Sequence, residues 1–270
     1  MTSTSGSTRR SRPVSTAAVV THGRLDVADA VDRVRAVAER TGVELVDELR
    51  AADLVVALGG DGTMLRTLAE LLGSDVPVIG VNFGRVGFLA SIAPEALERD
   101  LVRVFAGEYV AVELPTLEVR LDSGRHVAVN DVVVTRSTLG RMVELGWAVG
   151  GEDLGTVPCD GMICATPTGS TAYNLSNGGP VLVRGLDALA VTFIAPHSLH
   201  ARPLVVPRGP AVTARNVTAD VACTLLVDGR KVADLEPGGE VAIHLCDERS
   251  LLATMPETTF FSRYRETFSS

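Results

Sequence analysis

One stretch of this chain constrains its fold more than any other. The apolar run DLVVAL (53–58) ends in Gly59-Gly60-Asp61-Gly62-Thr63, and the helical segment MLRTLAELLG (64–73) follows at once. A run this short and apolar reads as a buried strand. Glycines at its end let the backbone turn sharply and approach a ligand without a Cβ in the way. The helix that begins there turns free amides and its positive dipole end outward, which makes a site for phosphate oxygens. Asp61 adds a carboxylate, an odd neighbour for phosphate in a loop that only binds. It makes sense if Asp61 orients or deprotonates an attacking hydroxyl, or helps hold a metal ion. The structural alternative is an Asp N-cap after a glycine turn. The pattern is neither GxxxxGK[ST] nor GxGxxG.

The flanks repeat the theme. TAAVVT (16–21) reads as a short buried strand. LDVADAVDRVRAVAERTG (25–42) places Val27, Ala30, Val31, Val34, Val37 and Ala38 on one helical face, with Gly42 as the stop. Residues 76–81 form another buried strand. Buried strands alternating with amphipathic helices predict an α/β N-terminal domain with a parallel sheet. Near Glu113-Leu114-Pro115 the texture changes. Residues 117–121, 127–136, 224–227 and 240–245 alternate apolar and polar positions, and Asp228-Gly229 is a tight-hairpin signal. A mainly-β C-terminal domain is expected. The expected boundaries are a disordered tail over 1–15, the α/β domain over 16–111, the β-rich domain over 112–250, and a segment over 251–270 that returns to pack on the first domain. Phe260, Phe261, Tyr264 and Phe268 are four of only ten Phe and Tyr residues, so this last segment is expected to dock.

Composition narrows the function. Net charge is −8 with no basic stripe, which argues against nucleic acid as partner but not against phosphate held by backbone amides. Aromatics are 4%, so the core must rest on Ala, Val and Leu. Cys159, Cys164, Cys223 and Cys246 form no CxxC pair, and no His cluster accompanies them. They read as reduced thiols in a core, which places the chain in the cytoplasm. No apolar run reaches membrane length, and the N-terminal residues lack the apolar stretch of a signal peptide.

The second motif is CDGMICATPTGSTAYNLSNGGP (159–180). Thr166, Thr168, Ser170, Thr171 and Tyr173 present hydroxyls and one stacking ring on a glycine-containing turn. Such a turn suits a ribose, an amide or a base edge, or is a polar loop with a helix cap. GGDGT, VNFGRVGFL (81–89), VNDVVV (129–134), Asp160-Gly161 with TPTGSTAY, and PHSLHARPLVV (196–206) occur in the order and spacing of one family. In these motifs the chain resembles the NAD kinases over residues 53–230. GGDGT alone is shared with diacylglycerol kinases and phosphofructokinase-like enzymes, whereas TPTGSTAY followed by GGP is specific.

The resemblance implies an activity and a residue set. It implies phosphoryl transfer from ATP, with Mg²⁺ or another divalent ion, to the adenosine-ribose 2′-hydroxyl of NAD in a cleft between the domains. Asp61 would be the catalytic carboxylate, also close to NAD. Gly59, Gly60, Gly62 and Thr63 would line the phosphate path, with Gly62 and Arg66 near NAD as well. Asn130 and Asp131 would hold ribose hydroxyls. Arg141, Asp160, Thr171, Ala172, Tyr173, Asn174, Leu175, Ser176 and Ala195 would complete the NAD contacts. The resemblance also implies a homodimer or homotetramer. Two departures stand out. Asp131 replaces the family's usual Glu and is one methylene shorter. LGWAVGGEDLGT (145–156) is unlike the family. His197 is either a site residue or a turn histidine, and Trp147 is expected to be buried or at an interface. The competing readings are a lipid or sphingoid-base kinase sharing the GGDG loop, and a non-catalytic nucleotide-binding regulator.

Overall fold

A computed structural model describes residues 8–9, 11–21, 27–84, 87–138 and 141–268. The chain forms two compact units, residues up to 114 with those from 249 onward, and residues 115–248. The sequence texture places these divisions near 112 and 250.

The first unit contains β1 (Thr8–Arg9), β2 (Thr16–Thr21), β3 (Glu44–Leu45), β4 (Leu54–Gly59), β5 (Val78–Asn82), β6 (Val110–Leu114) and β19 (Ser250–Thr254). Its helices are α1 (Ala28–Thr41), α2 (Asp61–Glu70), α3 (Leu97–Phe105) and α5 (Phe260–Phe268). Among the described residues the strands form one sheet in the order β1-β6-β19-β5-β4-β2-β3. The pairs β3/β2, β2/β4, β4/β5 and β5/β19 are parallel, and β6 is antiparallel to both β19 and β1. All six β4 residues are buried, as a strand covered on both faces requires. Helix α1 buries Ala30, Val34, Val37 and Ala38 and stops at Gly42, whose φ of 74° suits glycine.

Composition predicts a disordered tail through residue 15, but β1 pairs with β6. Residues 11–15 are also tied down. Val14 is buried and donates its N–H to Phe105 O at 3.0 Å, and Asp53 accepts the amides of Ser15 and Thr16. An unpaired sheet edge and one apolar side chain outweigh the polar composition there. The expectation for residues 1–7 and 10 lies outside the described residues. At the other end, β19 enters the centre of this sheet between β5 and β6.

The second unit contains β7 (Leu117–Leu121), β8 (Gly124–Ala128), β9 (Asp131–Arg136), β10 (Val143–Val149), β11 (Glu152–Cys159), β12 (Gly161–Ala165), β13 (Ala188–Ile194), β14 (Leu204–Pro207), β15 (Val212–Asn216), β16 (Cys223–Val227), β17 (Arg230–Leu235), β18 (Glu240–Leu245) and the one-turn helix α4 (Tyr173–Ser176). Two antiparallel sheets result, ordered β11-β10-β15-β18-β7-β8 and β14-β13-β12-β9-β16-β17. Alternate residues of both sheets, among them Val119, Leu145 and Ile243 from one and Val132, Met162 and Leu225 from the other, meet in a single apolar core. Cys159, Cys164 and Cys223 belong to that core, and all four cysteines are free and buried. Burial pushes the Cys159 thiol up to about 12 and the Cys223 thiol up to about 11.

One expectation fails in an informative way. Residues 127–136 read as a single strand, yet the structure breaks it between β8 and β9 at Val129 and Asn130. The amides of Val129, Asn130 and Asp131 leave the ladder to donate to the Asp228 carboxylate.

Candidate functional site

The GGDGT loop sits where β4 gives way to α2. Gly60 is extended and its carbonyl accepts the amides of Thr63 and Met64 at 2.9 and 3.2 Å. The amides of Asp61 and Gly62, which precede them in the first turn, have no carbonyl to meet inside the helix. Gly59 has no room for a Cβ, because the Thr63 hydroxyl fills that space. Thr63 Oγ1 is itself buried without a hydrogen-bond partner among the described residues. Arg66 folds back along its own helix, Nε donating to Gly62 O at 3.3 Å, and is exposed.

Asp61 is the first residue of α2, so its side chain does not act as an N-cap. Its carboxylate instead accepts two backbone amides from the 87–90 segment. Phe88 N–H reaches Oδ2 at 3.1 Å and Leu89 N–H reaches Oδ1 at 3.4 Å. A Cβ on Gly87 would collide with this carboxylate. The glycine is therefore needed for close approach to Asp61.

In the second unit, Asn130, Asp131 and the TPTGSTAY loop form one bonded system. The Thr166 hydroxyl donates to Val129 O at 2.6 Å, and Thr166 N–H donates to Asn130 O at 2.8 Å. Gly169 passes so close to Asn130 that a Cβ would collide with the Asn130 carbonyl. Asp228, at φ 46°, and Gly229, at φ 74°, make the tight turn between β16 and β17. That turn brings the Asp228 carboxylate under the backbone of 129–131. Burial, with the Asp228 charge beside it, pushes the Asp131 carboxyl up to about 7. Burial also raises Asp228, although its three backbone donors oppose the shift.

The expected NAD contacts behave differently from one another. Asn174 is fully buried. Its amide donates to Ser170 O and Pro180 O, and its Oδ1 accepts the Thr192 hydroxyl at 2.7 Å. A Cβ on Gly179 would collide with it, so Asn174 braces the loop from inside. The neighbouring Tyr173 ring is 45% exposed. Ala172, Thr171 and Leu175 are half-buried, and Ser176 is exposed. Asp160 pairs with Arg136 at 3.2 Å. Arg141 pairs with Asp220 at 2.8 Å on the surface. Ala195 is exposed at φ 42°, a strained backbone for a non-glycine. His197 is exposed and its amide donates to Pro158 O. Trp147 is half-buried and meets Phe193 edge-on at 5.4 Å. The unusual 145–156 stretch is the β10–β11 hairpin.

Five buried side-chain polar atoms lack a partner among the described residues: Thr63 Oγ1, Ser91 Oγ, Asn130 Oδ1, Thr168 Oγ1 and Arg263 Nε. Three lie within GGDGT, the Asn130-Asp131 pair and TPTGSTAY. Native proteins seldom leave such atoms unpaired, and a ligand is one reason they do.

The chain matches the model of the ATP-NAD kinase N-terminal domain over residues 7–109 and that of the ATP-NAD kinase C-terminal domain over residues 129–255. It belongs to the NAD kinase family. An NAD kinase of Heliobacterium modesticaldum is 40% identical over 239 residues, which cover 87% of this chain and 84% of that protein. An NAD kinase of Thermomicrobium roseum is 36% identical over 262 residues, with 93% and 90% covered. Among solved structures, an NAD kinase from Archaeoglobus fulgidus in complex with ATP superposes with a TM-score of 0.77 at 28% identity, covering 94% of this chain and 97% of that one. A yeast NADH kinase complexed with NADH gives 0.82 at 22% identity, with 95% and 88% covered, and bears on the fold.

Three residues carry structural weight that the motifs did not reveal. Arg136 is the partner of Asp160, and Gly87 and Phe88 shape the surroundings of Asp61. The contact between Asp61 and Phe88 spans 27 residues, so no local pattern encodes it. Asp228 was legible as a turn, but its bonds to residues nearly a hundred positions away were not.

Proposed function

We propose that this chain transfers the γ-phosphoryl group of ATP to the 2′-hydroxyl of the adenosine ribose of NAD, giving NADP and ADP. The observation that carries the reading is chemical. Three of the NAD kinase motifs, GGDGT, VNDVVV and TPTGSTAY, each hold a buried polar atom without a partner among the described residues: Thr63 Oγ1, Asn130 Oδ1 and Thr168 Oγ1. Family membership names the substrates that would supply those partners.

The division of labour follows from the residues. Gly59 to Thr63 line the phosphate path, with backbone amides and the α2 dipole facing the nucleotide oxygens. Asp61 accepts the proton of the ribose hydroxyl as its oxygen bonds to the γ-phosphorus, while the bridging oxygen leaves with ADP. Its two backbone donors, Phe88 and Leu89, fix the orientation of its carboxylate. Phosphoryl transfer asks mainly for such positioning. Asn130 and Asp131 take ribose hydroxyls, and the half-exposed Tyr173 ring offers a stacking face for a base or the nicotinamide.

Magnesium fits as an ion that arrives with the nucleotide. No cluster of three or more His, Cys, Asp or Glu suited to a metal exists among the described residues. Mg²⁺ commonly takes one or two carboxylates together with substrate phosphates, and Asp61 would be one such carboxylate. When bound, it neutralises charge on the transferred group. The reading extends to a reducing cytoplasm, supported by four free buried thiols, and to a homodimer or homotetramer, checked by light scattering.

The test is direct. Purified chain is incubated with ATP, Mg²⁺ and NAD, and NADP is measured. A parallel incubation supplies a sphingoid base or diacylglycerol. NADP formation with an inert lipid arm is the expected result. Lipid phosphorylation without NADP would overturn the reading.

A further inference from the structure

The last helix of the chain reaches the segment that holds Asp61. On α5, Phe260, Tyr264 and Phe268 recur every four residues and share one face, with Arg263 beside them. Phe88 meets this face. Its ring lies 5.8 Å from Phe268 in a stacked arrangement and 6.5 Å from Phe260. Tyr264 closes the aromatic group, 4.9 Å from Phe268 and 6.4 Å from Phe260. Arg263 Nη2 donates to Ala90 O at 2.8 Å. The same segment, 87–90, gives Asp61 its two backbone donors and offers it the only space a glycine leaves.

We propose that α5 is a positioning element for Asp61, acting through Phe88 and the backbone of residues 87–90. This rests on the reading of Asp61 as the catalytic carboxylate. Two observations set α5 apart from ordinary packing. None of its residues is buried, and Phe261 is 67% exposed, so it adds little to the core of the first unit. Two of its contacts with that unit nevertheless flank the Leu89 amide and adjoin that of Phe88, by ring stacking at 88 and by a hydrogen bond at 90. A segment pinned at two points keeps its amides aimed. Released, those amides would sample other directions, and the Asp61 carboxylate would lose its fixed orientation. A small misplacement of a reacting group costs turnover far more than it costs stability.

The experiment uses the full chain with Phe260→Ala and Phe268→Ala combined, with Arg263→Ala, and with Phe268→Tyr as the ring-retaining control. Turnover, thermal stability and amide hydrogen exchange at Phe88 and Leu89 are measured for each. The double variant and Arg263→Ala should lower kcat by about tenfold, the scale of a modest misalignment. They should speed exchange at Phe88 and Leu89 while leaving exchange in β4 unchanged. Phe268→Tyr should leave kcat and exchange as they are in the unaltered chain. Unchanged exchange at residues 88 and 89, or unchanged kcat, overturns the proposal. Asp61→Asn is assayed alongside. If it retains full turnover, the reading of Asp61 fails. If it is inactive while the α5 variants are normal, only the positioning role of α5 fails.

Discussion

The carboxylate of Asp228 accepts the backbone N–H of Asn130 at 2.7 Å. The same carboxylate takes the amides of Val129 and Asp131 at 2.8 and 3.1 Å. The hairpin turn between β16 and β17 thus holds the short break in the β8–β9 strand that presents Asn130 and Asp131. Replacing Asp228 by Ala leaves three partly buried amides without this acceptor, each costing up to about 1–3 kcal/mol if nothing takes its place. Asp228→Ala should therefore raise the KM for NAD by tenfold or more, where about 1.4 kcal/mol corresponds to tenfold. The KM for ATP should stay near its original value. Asn tolerates the positive φ at this position and keeps one acceptor oxygen, so Asp228→Asn should fall between. Equal rises in both KM values would refute the specific link to Asn130 and Asp131.

Asp131 gives a prediction about pH. Its carboxyl is pushed up to about 7 by burial and by Asp228, against about 3.9 in an unfolded chain. The folded protein therefore holds a proton that the unfolded chain releases. The sign follows from linkage. The contribution of Asp131 to stability is greatest below about pH 4, falls as pH rises toward 7, and levels off above it. Asp131→Asn removes this titration, so its melting temperature relative to that of the unaltered chain should rise between pH 4 and pH 7. Parallel melting curves for the two proteins across that range would contradict the assignment.

Much of this was open to reading in the primary structure, for physical reasons. Buried parallel strands are uniformly apolar, so β2, β4 and β5 announce themselves, and α1 carries its periodicity and its Gly42 stop on its surface. GGDGT and TPTGSTAY are contiguous, so their chemistry is visible in a few residues. What could not be read was the long-range pairing that shapes those motifs. The strand expected over 127–136 breaks because a carboxylate from residue 228 competes for its amides. Asn174 looks like one more polar ligand in its loop, and only the fold reveals that its amide is spent on Ser170, Pro180 and Thr192. The tail over 8–9 and 11–15 looks polar and free until a sheet edge and Asp53 are seen to take it.

Asp61 bears the heaviest prediction. An amide in its place keeps the shape but cannot accept a proton from the ribose hydroxyl. Asp61→Asn should lower kcat by about 10²–10⁴, the usual contribution of a positioned base. NAD affinity, measured by calorimetry, should change by no more than a few-fold, because Asn130, Asp131 and the TPTGSTAY loop are untouched. Turnover near that of the unaltered chain would remove Asp61 from the catalytic role.

Gly87 tests the same site from the other side. A Cβ at this position would collide with the Asp61 carboxylate, so in Gly87→Ala one of the two must move. If the carboxylate turns away, it loses the amides of Phe88 and Leu89 together. Turnover should then fall by about tenfold or more, the effect of a small misplacement of a reacting group. Gly42→Ala is the matched control. Gly42 closes α1 at φ 74° with nothing within 4 Å of an added Cβ, so alanine there strains only the backbone. It should cost about 1 kcal/mol of stability and leave turnover as it was. Melting temperature and kcat measured on both variants separate the two effects. Gly87→Ala should be poor in kcat with a modest change in melting temperature, and Gly42→Ala the reverse. A Gly87→Ala enzyme with full turnover would mean that the carboxylate does not need the orientation its two backbone donors impose.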